Sequence, residues 1–236
     1  MRNFILLKQT QNRLIKILSI IALVISTNTA HAGWPNIATP PLTETTSLAQ
    51  EMIYQGTPMR VKTFTSKISK SRVVDFYRER WEKEYVVDYF GPWKQISHKQ
   101  ENYFITIQVQ SSGENSSYGR ISVMQIPDAD EHPALGEGIA TLPDTTVLND
   151  ITSNDKKTNS RNILAQNKQS IESNGHYYKT HYANTNWGTV MDKTVTPDNR
   201  VLIFRKGRKE TVVVLQRIVD TSYIQINESE KTSWFK

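Results

Sequence analysis

Apolar side chains occupy every second position of the segment from Tyr103 to Val109. Successive side chains of a β-strand point to opposite faces of the sheet, so this alternation predicts a strand with one buried face. The Ser-Ser-Gly sequence at 111–113 favours a turn, and residues 120–126 are predicted to return as the antiparallel partner strand. The chain is therefore expected to contain an antiparallel sheet with a core on one side.

A helix is predicted ahead of these strands, because apolar residues recur there at spacings of three and four. These residues are Val73, Val74, Phe76, Tyr77 and Trp81. Ser69 or Ser71 can cap the N-terminus of this helix. With a strand that begins at Met59 and another at 93–98, the pattern indicates a first unit of order β-α-β-β-β over residues 59–126.

Residues 146–236 are predicted to form a second unit of the same order. Its helix is expected to be capped by Thr158 or Ser160 and to end near Gly175. The apolar residues assigned to that helix are Ile163, Leu164 and Ile171. β-branched residues predict strands at 146–152, 187–194, 200–205 and 211–218. Gly207 lies where the last two strands would be joined by a turn.

The predicted fold class is α+β, with two similar β-α-β-β-β units, each a mainly antiparallel sheet with a packed helix. Proline-rich residues 33–58 are expected to be an extended arm, and residues 127–145 a linker. Thr65-Ser66 and Ser71-Arg72 correspond to Thr152-Ser153 and Ser160-Arg161, with a spacing that differs by two residues. An internal repeat and chance similarity both account for this correspondence.

The first 32 residues have the three-part form of an export signal. A basic start is followed by an apolar stretch at 17–25 and by Ala30-His31-Ala32. Cleavage is predicted near Ala32, which would release residues 33–236. Because the chain has no cysteine, it can form neither a disulfide nor a lipid anchor on a terminal cysteine. A periplasmic or secreted bacterial protein is the expectation.

The net charge of +6 is not a signal for nucleic acid binding. Four of the 29 Lys and Arg residues and none of the 23 Asp and Glu residues lie in the predicted signal peptide. The remaining 25 cations against 23 acids give the mature chain a net charge of only +2. No nucleic-acid partner and no transmembrane segment after signal cleavage are predicted.

The sequence contains no motif of a known catalytic or cofactor site, such as Gly-x-Ser-x-Gly, His-Glu-x-x-His or a glycine-rich phosphate loop. Possible cation ligands in the linker are Asp128, Asp130, Glu131 and His132. Their spacing matches no calcium-binding loop. His176 and His181, interpreted as half-exposed sheet residues, would point to opposite faces of a strand. We therefore predict no catalytic activity, no metal and no cofactor.

Two groups of residues are candidates for binding. Arg205, Lys206, Arg208 and Lys209 surround the predicted turn at Gly207 and can bind an acidic partner, or can merely keep a hairpin soluble. The alternative is a ligand groove formed by Tyr177, Tyr178, Tyr182 and Trp187, whose rings also suit a core.

These observations favour an exported, non-catalytic binding or assembly factor that contacts another cell-envelope protein. Two alternatives stay open. One is a small-ligand-binding protein that uses the aromatic residues of the second unit. The other is a cell-wall or polysaccharide hydrolase whose carboxylates are brought together by the fold.

The N-terminus of the exported protein tests the localisation directly. Because Ala30-His31-Ala32 ends the predicted signal, N-terminal sequencing of the protein recovered from the periplasm or the medium should begin at Gly33. A sequence that begins at Met1 would contradict cleavage.

Overall fold

The computed structural model describes residues 33–49, 51–128 and 134–232. The predicted signal peptide and the linker residues Asp130, Glu131 and His132 lie outside these ranges. Residues 33–36 contain no helix or strand, and the compact unit described below begins at Ile37.

Thirteen strands and two helices make up the described part of the chain. The first half comprises β1 (Thr43–Ser47), β2 (Glu51–Tyr54), β3 (Thr57–Ser66), α1 (Lys70–Arg80), β4 (Val86–Phe90), β5 (Trp93–Gln100), β6 (Tyr103–Gly113) and β7 (Ser116–Gln125). The second half comprises β8 (Thr146–Asn154), β9 (Thr158–Asn167), α2 (Ile171–Asn184), β10 (Gly188–Thr196), β11 (Asn199–Lys206), β12 (Lys209–Ile218) and β13 (Thr221–Lys231).

All thirteen strands belong to one antiparallel sheet, and the predicted α+β fold of two separate units is therefore wrong. The order across the sheet is β10-β11-β12-β13-β9-β8-β2-β3-β7-β6-β5-β4, and β1 pairs with β3 in line with β2. The two halves join where β2 pairs with β8, from Glu51↔Asn154 to Tyr54↔Ile151. β2 lies in the segment that its prolines had indicated to be an extended arm. A sequence pattern shows that a strand has a buried face but does not show which strand it pairs with.

Helix α1 confirms the prediction made from its apolar spacing. Ser69 is the N-cap, and the buried face is formed by Val73, Val74 and Tyr77. Burial of each such side chain contributes roughly 1.5–3 kcal/mol relative to its exposure. The Tyr77 hydroxyl donates to the carbonyl of Ala38 at 3.0 Å, and burial raises the pKa of this phenol. The first core therefore also holds the segment that leads into β1.

The second helix does not lie where the sequence indicated. Residues 158–167 form strand β9, and helix α2 runs from Ile171 to Asn184, with Gly175 inside it. Its buried face includes Asn174, which is hydrogen-bonded to Asn167, and Gly175, over which the Arg200 side chain lies. This face has few apolar residues, so its periodicity is weak. The helix was therefore predicted to lie on the more apolar segment that forms β9.

Two further predictions change with this shift. Ser71-Arg72 lies in α1 and Ser160-Arg161 in β9, so the pairs proposed as repeat landmarks do not occupy corresponding places. His176 and His181 lie on α2, not on a strand.

The two halves nevertheless follow the same path through the sheet. In each half the strand before the helix pairs with the last strand of that half, β3 with β7 and β9 with β13. The remaining strands extend one by one to the outer edge. Ser69 and Ser170 are the N-caps of the two helices, so corresponding positions can be matched by counting from these two serines.

Corresponding contacts support this match. The Ser117 hydroxyl donates to the carbonyl of Ile68 at 2.9 Å, and the Ser222 hydroxyl donates to that of Gln169 at 2.6 Å. Ile68 and Gln169 each directly precede an N-cap serine. Each serine thus fastens the last strand of its half to the start of its helix.

Aromatic rings stack at corresponding places as well. Trp81 lies against His98 with ring centroids 4.9 Å apart, and Tyr182 lies against Phe204 at 4.3 Å. In both halves the stack joins the end of the helix to the same strand of the sheet, β5 in one and β11 in the other.

Gly119 of β7 provides a test of this packing. A Cβ atom there would overlap the Gln108 carbonyl and the Phe64 ring. Because neither a strand backbone nor a buried ring can move aside cheaply, Gly119→Ala should lower the free energy of unfolding by about 1–3 kcal/mol in urea denaturation. At Gly188 the nearest atom would be 3.7 Å away, so the control Gly188→Ala should change stability by no more than about 0.5 kcal/mol. Equal stability of the two variants would contradict the packing described.

Candidate functional site

The predicted basic hairpin is formed by β11 and β12, which turn at Gly207. Its cations are largely engaged within the molecule. Arg205 pairs with Glu210, Lys206 donates to the carbonyl of Thr185 at 2.9 Å, and Lys209 lies 3.7 Å from Glu230. Of the four basic side chains, only that of Arg208 has no hydrogen bond or ion pair with a described residue. Acids therefore balance the charges of Arg205 and Lys209, whereas the charges of Lys206 and Arg208 have no acid partner among the described residues.

The predicted aromatic groove is mostly core. Tyr178 and Tyr182 lie on the buried face of α2, and Tyr177 of the same helix is partly buried beside them. Burial raises the pKa of Tyr178, and it raises the pKa of Tyr182 to about 12. Trp187, which follows the helix, lines a cavity.

That cavity, here called the Trp187 cavity, has a volume of about 280 Å³. Strands β8, β9, β12 and β13 form its floor. The charged and aromatic residues that line it are Arg161, Trp187, Lys209, Glu210, Glu228 and Glu230. Arg161 and Glu228 are directly paired across β9 and β13, so their side chains lie on the same face of the sheet.

Arg161 is held by two partners. Its Nε and Nη2 atoms donate to the two carboxylate oxygens of Asp150 at 3.0 and 2.6 Å. Its Nη1 donates to the carbonyl of Glu137 at 2.9 Å, and the backbone N–H of Gly136 donates to Asp150. The hydrogen bonds from Arg161 lower the pKa of Asp150. This pair fixes the middle of the linker onto the second half.

Glu228 differs from the other acids because it forms no hydrogen bond or ion pair with a described residue. Burial raises the pKa of its carboxyl, while the charges of Arg161, Lys209 and His181 act in the opposite direction. The carboxylate thus lies in the cavity wall without a direct partner.

A different kind of site lies at the end of the sheet in the first half. Strand β4 is an edge strand, and the side chains of Val86, Tyr89 and Phe90 are about two-thirds exposed, at 68%, 68% and 69%. A groove of about 650 Å³ runs beside it and is lined partly by Val86, Asp88 and Phe104. We call this surface the β4 edge.

The opposite edge, β10, is built differently. Its register with β11 shifts twice, and bulges of this kind twist an edge away from regular pairing. Asp192 on β10 pairs with Lys179 of α2 and with Arg200 of β11, at 2.7 and 2.8 Å. These contacts lower the pKa of Asp192 to about 2. β10 is therefore anchored and irregular, whereas the pairing of β4 with β5 has no shift.

The sequence pattern did not identify either the β4 edge or the polar residues of the cavity. Val86-Val87-Asp88-Tyr89-Phe90 is a short apolar run before Gly91-Pro92, which is the one available signal for an exposed strand there. Asp150, Arg161 and Glu228 are far apart in the chain and come together only through strand pairing.

No family model, curated protein or solved structure matches this chain. Within the described ranges, no helix has the length and apolar character required to cross a membrane. The same residues contain no group of three or more His, Asp and Glu side chains that could hold a metal ion.

The pair of Asp150 and Arg161 makes stability depend on pH. Because hydrogen bonds to charged groups contribute about 1.5–3 kcal/mol, Asp150→Asn should lower the free energy of unfolding at pH 7 by about 2 kcal/mol. The pKa of Asp150 is lower in the folded than in the unfolded chain, so its contribution is complete above the ordinary aspartate pKa. It is lost as the pH falls through the lowered value. In urea denaturation, the difference between wild type and Asp150→Asn should therefore shrink below about pH 4.

Asp220 provides the control for this experiment. It pairs with Lys168 at 3.0 Å, but both side chains are 71% exposed. Asp220→Asn should therefore change stability by no more than about 1 kcal/mol. A difference between wild type and Asp150→Asn that stays constant from neutral to strongly acidic pH would contradict the assignment.

Proposed function

We propose that this protein is an exported, non-catalytic binding factor of the bacterial cell envelope, and that it binds an extended segment of another envelope protein at the β4 edge. The observation that carries the proposal is the combination of a regular, open edge strand with three large exposed apolar side chains. The signal-like N-terminus and the lack of catalytic motifs in the sequence support the rest.

An edge strand has backbone N–H and C=O groups that another strand can pair with. A segment added to β4 would make main-chain hydrogen bonds along its length, while its side chains would contact both faces of the edge. Val86 and Phe90 pair with Ser97 and Trp93 on the face away from α1. Tyr89 lies on the other face, so apolar contact is available on both sides.

The charge at the centre of β4 indicates which kind of segment can bind there. Asp88 is the middle residue, and its carboxylate accepts the backbone N–H of Tyr89 at 2.7 Å. A second copy paired symmetrically along all of β4 would place Asp88 opposite Asp88, and directly opposed like charges destabilise a strand pair. A segment with apolar residues around a central Lys or Arg avoids this repulsion. We therefore propose a different protein, and not a second copy, as the partner.

A library of displayed heptapeptides tests this proposal. Peptides selected on the wild-type protein should alternate apolar residues around a central cation. Synthetic versions should bind, by fluorescence anisotropy, at least about tenfold less tightly to the double variant Val86→Lys, Phe90→Lys, a loss of about 1.4 kcal/mol. The matched control Val190→Lys, Val195→Lys changes exposed residues of the β10 edge and should bind like wild type.

Two further changes, one to the peptide and one to the protein, test how the segment binds. N-methylation of alternate amides in the peptide should abolish binding, because it removes the donors that pair with β4. Asp88→Lys should change the preferred central residue from a cation to an acid. Selected peptides that bind all protein variants alike, or a wild-type protein that dimerises through β4 in sedimentation, would contradict the proposal. Binding that depends only on Arg205 and Arg208 would instead favour the basic hairpin.

A further inference from the structure

At one pair of matched positions, the two halves carry side chains of different polarity. In the first half Arg60 of β3 pairs with Val123 of β7, which pairs with Ile105 of β6. In the second half Arg161 pairs with Glu228, which pairs with Thr211. Arg60 and Arg161 lie nine residues before the N-cap serines of their helices. The same row of the sheet therefore holds Val and Ile in one half and Glu and Thr in the other.

The apolar pair shows that buried apolar side chains fit these positions of the sheet. Val123 and Ile105 are buried, with 6% and 0% exposure. A carboxylate taken from water into the position of such a valine is costly unless it is paired and hydrogen-bonded. Glu228 is half-buried and has no such partner among the described residues. It therefore stabilises the sheet less than the buried valine of the first half does.

The surroundings of Glu228 indicate which ligand charge fits. Arg161 already binds Asp150 and the carbonyl of Glu137. Lys209 lies 3.7 Å from Glu230, and His181 lies on α2 above the sheet. Among the described charged residues that line the cavity, Glu228 is thus an acid without an ion partner, and both cations already have one. A positively charged group, and not an anion, would complete this arrangement.

We propose that the Trp187 cavity binds a small organic amine, whose ammonium group pairs with Glu228 while its carbon chain lies against the Trp187 indole. An ammonium group supplies the hydrogen-bond donors that the carboxylate lacks, and an indole ring attracts a cation over its face. The volume of about 280 Å³ lies just below the usual range of small-molecule sites, so the ligand is small. This site lies in the second half, and its test is independent of the β4 edge.

Titration with 1,4-diaminobutane tests the site. The amine should shift the Trp187 indole N–H signal in an NMR spectrum, in which that signal is assigned by its loss in Trp187→Phe. The matched uncharged probe 1,4-butanediol and the anion succinate should leave the signal unchanged. Binding should weaken as the pH falls through the pKa of Glu228, because the protonated carboxyl no longer attracts the ammonium group.

Two substitutions separate binding from folding. Glu228→Gln keeps the size of the side chain and should weaken diamine binding at least about tenfold. Glu228→Val installs the residue of the first half, so it should abolish binding and also raise the melting temperature. The reciprocal change Val123→Glu should lower the melting temperature.

Several results would overturn the proposal. They are the absence of any shift at Trp187 with about 10 mM diamine, equal binding by wild type and both Glu228 variants, or an equal response to butanediol. Saturable binding of calcium chloride with no response to the amine would assign the carboxylates to a cation site and would overturn it as well.

Discussion

The four-residue pairing of β2 with β8 is the contact on which the architecture depends. It turns two sets of strands, each with its own helix and core, into a single sheet. Two hydrogen bonds from Gln55 extend this joint: its backbone N–H donates to the carbonyl of Asp150 at 2.8 Å, and its side chain donates to that of Leu148 at 3.4 Å. Asp150 also binds Arg161, so the joint, the linker and the wall of the Trp187 cavity meet at one residue.

An open sheet has two edges, and the two edges of this sheet differ in structure. Both edges carry exposed apolar residues, but β10 has shifted pairing and is tied to α2 through Asp192, whereas β4 is paired without a shift. The two halves also differ at one matched position, since Glu228 lies where the other half has the apolar Val123. Because both halves follow the same path through the sheet, a residue that differs between them is one that this path does not dictate.

The sequence predicted those elements whose signal is local. Helix α1, strand β6 and the turn at Gly207 each follow from spacing or from a single residue type, and the structure confirms them. Helix α2 was misplaced because its buried face uses Asn174 and Gly175, whose suitability depends on Asn167 and Arg200. The single sheet, the bound Arg161 and the unpaired Glu228 all depend on pairing between distant strands. Alternation within one strand contains no information about that pairing.

The joint between the halves has a geometry that resembles an interface between subunits. β2 and β8 occupy corresponding places, each next to the strand that leads into a helix, and they meet antiparallel. An isologous contact between two copies of one polypeptide has this form, with the same strand contributed by each side. The arrangement thus resembles a dimer whose two halves are covalently connected. A covalent connection allows each half to differ from the other in its surface and its core.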